Sequence, residues 1–222
     1  MTSSELLPKS EDVRLACAFI PDAEKRVEVL SLFAFLETLR DIPERTTDPL
    51  MGEIRLRWWY EAIDEIAEGR PVRYHPLTEA LKTMVEHYGL PTETFHDLIE
   101  GQMPLLDKGP LTIKEALGVV DRGEGNLLRL SAQVLGETAD LTDIARLYGL
   151  AQIKATRDLS DAGDMELAHL KREAVKAAKG LPTALMPLAL PASLATGYWH
   201  GQMPGPLSKR VRLLWSYVTG TI

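Results

Sequence analysis

The sequence predicts an all-α fold, a bundle of roughly ten helices. Three observations carry that prediction. Apolar residues recur at helical spacing along most of the chain, as a helix with one buried face requires. Alternating runs of β-branched and aromatic residues, the mark of half-buried strands, are missing over any useful length. Gly101, Gly136 and Gly180 fall at breaks between the periodic segments.

Val27, Leu30, Phe33/Ala34 and Leu36 suit a helix over 23–40, and Pro43 is expected to end it, because the residue before a proline avoids the helical region. Asp48-Pro49, a capping residue followed by proline at the first helical position, opens the next helix. Its apolar face is expected to be Ile54, Trp58, Ala62/Ile63 and Ile66, with Gly69 and Pro71 closing it. Trp58 and Trp59 are successive and cannot share a direction, so one belongs to the core and the other to a rim or partner surface. The same spacing predicts helices over 76–88, 93–106, 113–121, 125–135, 141–159, 165–178, 183–190 and 207–218. In the last of these, Val211, Leu214, Trp215 and Val218 form a stripe, with Lys209, Arg210 and Arg212 off it. Such a helix can lie on an anionic membrane surface or pack on its own domain.

A chain of 222 residues, 45% hydrophobic and 26% charged, has an ordinary globular balance. A single core grows to this size and buries roughly 70% of the unfolded surface, so residues 1–222 are expected to form one domain. The net charge of −7 and the lack of a basic stripe set nucleic-acid binding aside. Cys17 is alone in an apolar run, which fits a buried thiol in a reducing compartment. The longest apolar segment, 181–198, is broken by Pro182, Pro187 and Pro191, so no membrane span is expected. Nothing resembles a signal peptide. The expected location is the cytoplasm, with peripheral attachment at the inner membrane.

Two acidic clusters carry the chemistry. Mg²⁺ binds diphosphates through carboxylates, and a helix presents these on one face at three- or four-residue spacing. Two such helices would clamp a leaving diphosphate and stabilise its charge. The first cluster is Asp41 with Glu44, interrupted by Pro43 and flanked by Arg40. The second is Asp158 with Asp161, which would share a helix face beside Arg157. Solvated helix ends are the plainer reading of both. The five histidines show no metal-ligand spacing, and Gly123-Glu124-Gly125 lacks the third glycine and strand of a nucleotide loop.

These residues resemble the squalene/phytoene synthase family. Phe33-Ala34-Phe35 is similar to the approach to that family's first acidic motif. Gly125-Asn126-Leu127-Leu128-Arg129-Leu130, running to Leu135-Gly136, is similar to its central helix, and Tyr148-Gly149-Leu150-Ala151-Gln152, running to Arg157-Asp158, to its second acidic helix. The resemblance implies an isoprenoid-synthase-like helical bundle. The departures are specific. The first motif, Asp-x-x-x-Asp, falls on Arg40 and Glu44, and Glu37 stands where an arginine is usual. The second motif's asparagine falls on Lys154, and its second aspartate on Ala162, next to Asp161.

A unit charge pair at about 4 Å is worth about 4 kcal/mol at an effective dielectric near 20, so two added cations oppose a divalent cluster. The resemblance then implies a protein without full synthase chemistry. Arg40, Lys154 and Arg157 would hold a prenyl diphosphate directly, and Trp58, Trp59, Arg210, Arg212 and Trp215 would form a partner or membrane surface. No catalytic residue and no cofactor is assigned. The alternative is a Mg²⁺-dependent prenyltransferase joining two prenyl diphosphates, with Asp41, Glu44, Asp158 and Asp161 as the candidates. Gly52-Glu53-Ile54-Arg55-Leu56-Arg57-Trp58-Trp59 is similar to a divergent branch of the family, the mitochondrial assembly factors of respiratory complex I. That branch implies respiratory-complex subunits or prenyl lipids as partners.

Overall fold

Eight successive residues, Val29 to Leu36, are all buried, so the helix that carries them runs through the middle of the molecule rather than over its surface. A computed structural model describes residues 4–160 and 162–222. The central helix is α2 (Ala23–Arg45), preceded by α1 (Glu11–Cys17) and followed by α3 (Pro49–Ala67), α4 (Pro76–Tyr88), α5 (Thr92–Glu100), α6 (Ile113–Val120) and α7 (Asn126–Leu135). Then come α8 (Thr142–Thr156), α9 (Asp164–Ala178), the short α10 (Met186–Ala189) and α11 (Ala195–Trp199), and α12 (Pro206–Thr219). Among the described residues there is no strand, only an isolated parallel bridge between Leu111 and Leu159. The all-α expectation is met.

α2 packs against α1, α3, α4 and α7, while α8 packs against α6, α9 and α11. Phe35 meets Trp59 edge-on at 5.4 Å and Phe95 at 6.1 Å, locking α2 to α3 and α5. Asp22 caps α2 by accepting from the Glu24 and Lys25 amides at 2.9 and 3.1 Å. Asp48 caps α3 through the Leu50 amide at 3.0 Å.

Several expected boundaries are corrected. α2 continues past Arg40 and through Pro43 to Arg45. A proline in the last turn removes a single backbone bond, and the Thr46 amide closes the helix on Ile42 O at 3.1 Å. The buried face of α3 is Leu56, Trp59, Ala62, Ile63 and Ile66; Ile54 is 54% exposed, because α2 and α5 cover the opposite side. Segment 93–106 breaks at Gly101 into α5 and a 3₁₀ turn, Met103–Leu106. Segment 183–190 is broken: a 3₁₀ turn, Thr183–Leu185, gives way to α10, and Pro187 and Pro191 each sit in the first turn of a new short helix, Met186–Ala189 and Leu190–Leu194. α6 and α7 are not separate: a π-helical turn, Asp121–Gly125, joins them. α8 ends at Thr156, not 159, because Leu111 N bonds Asp158 O at 3.1 Å and Ser160 N bonds Leu111 O at 3.0 Å, pulling 157–160 into an extended path.

Candidate functional site

The C-terminal ends of α2 and α8 converge beside the loop after Met103–Leu106, and between them opens a cavity of about 590 Å³. Arg40, Pro43 and Glu44 line it from α2, Gln152, Ile153, Thr156 and Arg157 from the end of α8, and Leu105, Lys108 and Tyr198 complete it. A helix C-terminus carries partial negative charge and attracts cations. Lys108 accordingly donates to the Pro43 carbonyl in the last turn of α2. Arg157 leaves α8 in extended conformation and donates through Nε to Gly109 O at 3.0 Å and through Nη1 to Leu105 O at 3.5 Å. Its Nη2 is buried with no hydrogen-bond acceptor.

Arg40 reaches to the wall of this cavity and is paired there. It donates to Glu124, and its Nη1 lies 3.4 Å from Gln152 Oε1. Glu124 is 5% exposed and comes from the π turn, a device that re-aims side chains inside a helix. Where the family pattern expects a leading aspartate, an arginine is neutralised by a buried glutamate from another element.

Two carboxylates beside the first motif, Glu37 and Asp41, are engaged by the chain's own amino-terminal segment. Glu37 accepts from the Lys9 amide at 2.5 Å and the Ser10 amide at 3.1 Å. Asp41 pairs with Lys9 and, at 3.1 Å, with Arg45. Asp41 and Glu44 therefore do not share a site: Asp41 faces the Lys9 segment, and Glu44 faces the cavity.

Asp158 of the second cluster is not on a helix, contrary to expectation. Asp158 sits in the extended segment, exposed, with its carbonyl bonded to Leu111. α8 has already ended at Thr156, and Asp161 lies outside the described residues. Lys154 does not line the cavity but lies over the Trp199 ring, 5.5 Å from its centroid. Of the three cations expected to hold an anion, Arg40 and Arg157 reach the cavity and Lys154 does not. Of the surface candidates, Trp59 is core at 6% exposure, while Trp58 lines a groove with Leu50, Ile54, Arg57 and Met103. Trp215, Arg210 and Arg212 are exposed on α12.

The donor set decides how the cavity treats metal. Among the described lining residues Glu44 is the one carboxylate, facing Arg40, Lys108 and Arg157. A magnesium cluster needs several oxygen donors and little nearby positive charge, and these residues do not fit it. They suit an anion better. Lys108 and Glu124 escaped the sequence reading. Glu124 lies in the polar run Asp121-Arg122-Gly123-Glu124-Gly125-Asn126 and nothing local sets it apart; Lys108 sits in a loop and carried no signal either.

A family model described as squalene/phytoene synthase matches residues 7–161, more than half of the chain. The NADH dehydrogenase (ubiquinone) complex I assembly factor 6 of Bos taurus is 26% identical over 133 residues, 60% of this chain and 40% of that protein. The protein of that name from Homo sapiens is likewise 26% identical over 133 residues, with the same coverage. The match thus spans about two fifths of the length of these curated relatives.

Proposed function

Because the chain belongs to the squalene/phytoene synthase family and yet seats an arginine–glutamate pair in its acidic-motif cavity, we propose that it is a non-catalytic member acting in respiratory-complex assembly. The reading takes residues 1–222 as one domain, located in the cytoplasm and peripheral at the inner membrane. Its likeness to complex I assembly factor 6 supports the partner class, subunits of a respiratory complex. No helix among the described residues is long and apolar enough to cross a membrane.

The observation that carries the proposal is Arg40 against Glu124. An ionising synthase must gather divalent ions where diphosphate departs. Here Arg40 stands where the family pattern has its leading aspartate, and Glu37 and Asp41 are bonded to Lys9 and Ser10, which supports the reading. The cavity retains Lys108 and Arg157 beside Leu105, Pro43 and Ile153, a combination suited to a prenyl diphosphate held without metal. Binding of that kind positions a ligand but gives no metal-assisted loss of diphosphate.

Calorimetric titration with farnesyl diphosphate, with and without Mg²⁺, tests this together with an assay for released diphosphate. The expected result is binding indifferent to Mg²⁺, or none, with no release. Mg²⁺-dependent binding with release would overturn it in favour of a prenyltransferase joining two prenyl diphosphates. The assembly role is tested separately by deleting the gene in its host and resolving respiratory complexes on native gels. Unchanged complex I would remove that part of the proposal.

A further inference from the structure

α12 is docked by the wrong face for a helix meant only to fill a core. Leu213 and Ser216 are buried, Tyr217 stacks on Phe19 with ring centroids 4.4 Å apart, and Lys209 Nζ lies 2.7 Å from Oδ1 of the buried Asp12. The opposite face carries Leu207, Val211, Leu214, Trp215 and Val218, exposed by 75, 59, 53, 67 and 72%. At about 100° per residue these five fall within a sector about 100° wide that points away from the molecule. Arg210, exposed and 3.7 Å from Glu11 of α1, flanks the stripe on one side and Arg212 on the other, and no acidic residue occurs from Pro206 to Thr219. The protein as a whole carries a net charge of −7.

We infer that α12 is an interfacial helix that seats its Leu207–Val218 stripe in the surface of an anionic lipid bilayer. A contiguous exposed apolar stripe needs a cover. Charge selects which: the arginines on both flanks complement anionic headgroups, while the apolar sector with Trp215 suits the headgroup–acyl boundary. A second copy pairing through the same stripe would bring arginine rows together with no acid on the helix to meet them. This inference rests on the peripheral membrane placement proposed above and not on the assembly role, since α12 lies beyond the residues matched by the family model.

Flotation of the full chain with vesicles tests it, using phosphatidylcholine alone and phosphatidylcholine mixed with phosphatidylglycerol. The expected result is flotation with the anionic vesicles, weakened by salt and weak with phosphatidylcholine alone. Leu214→Ser should lower partitioning about tenfold, as removal of one apolar anchor implies. Arg212→Glu should lower it at least about fivefold on anionic vesicles only. Both positions are exposed, so circular dichroism and melting of the variants should match the parent. No flotation with either vesicle, or flotation that ignores Leu214→Ser, would overturn the inference. So would a dimer in sedimentation that Leu214→Ser dissolves, which would assign the stripe to a second copy.

Discussion

Arg40 on α2 and Glu124 on the π turn form an ion pair between elements 84 residues apart, with side-chain exposures of 22 and 6%. The second oxygen of Glu124 is buried and has no hydrogen-bond donor. The arginine is thus the only hydrogen-bond donor to the Glu124 carboxylate among the described residues, and the two depend on each other.

That dependence is measurable. Arg40→Ala leaves a buried carboxylate uncompensated and is expected to destabilise the fold by about 3 kcal/mol. Glu124→Ala should also destabilise, and the double variant should fall short of the sum by about 1–3 kcal/mol. Urea denaturation of the four proteins reads the coupling. Additive effects would show that the pair is not a unit.

Gly149 on α8 has a packing reason. A methyl group there would come within 2.7 Å of Val120 Cγ1 and 2.9 Å of the Glu124 carboxyl carbon. Gly149→Ala should therefore cost about 1–3 kcal/mol net, outweighing the ~1 kcal/mol by which alanine favours a helix over glycine. A variant with a raised melting temperature would show that the two neighbours yield freely.

Glu65 gives the fold an acid-side dependence. Arg73 donates to it through Nη2 at 2.6 Å and its backbone amide at 2.9 Å, and these bonds lower the carboxyl from its usual 4.5 to about 2. A group with a lower folded than unfolded pKa stabilises above the unfolded value and loses that contribution as pH falls towards the folded one. Wild-type stability should therefore decline between pH 4.5 and about 2 more steeply than that of Glu65→Gln. Parallel curves over that interval would remove Glu65 as the cause.

Burial pushes the Cys17 thiol up to about 12, with Arg26 opposing weakly. Thiolate is the reactive form, so iodoacetamide should leave the native protein unlabelled at mildly alkaline pH and label it rapidly in urea. Rapid labelling of the native state would show that α1 opens readily.

Much of the framework was legible because it rests on local chemistry. The bounds of α4 and the Asp48-Pro49 start of α3 followed from caps and periodicity. What failed depended on distant partners. α3 carries two apolar stripes, one through Leu50, Ile54 and Trp58 and one through Leu56, Trp59 and Ile63, and only the neighbouring α2 and α5 select the second. The end of α8 is set by Leu111, and the fate of Glu37 and Asp41 by Lys9 and Ser10, none of which is near in sequence. The replacement of the leading aspartate by Arg40 was plain from the sequence; its partner Glu124 was not.

The contact between Lys209 and Asp12 also sets an order of assembly in time. During synthesis α1 emerges well before α12, carrying a carboxylate that is 1% exposed in the finished fold, while its ammonium partner follows much later in the chain. Until α11 and α12 arrive with the Tyr198 hydroxyl and the Lys209 ammonium, both of which meet this carboxylate, α1 has an unsatisfied acid on the face that should dock, so it is expected to stay loosely held while the α2 and α8 layers consolidate. Pulse proteolysis of ribosome-bound chains should find cleavage near α1 until the codons for α12 have been translated.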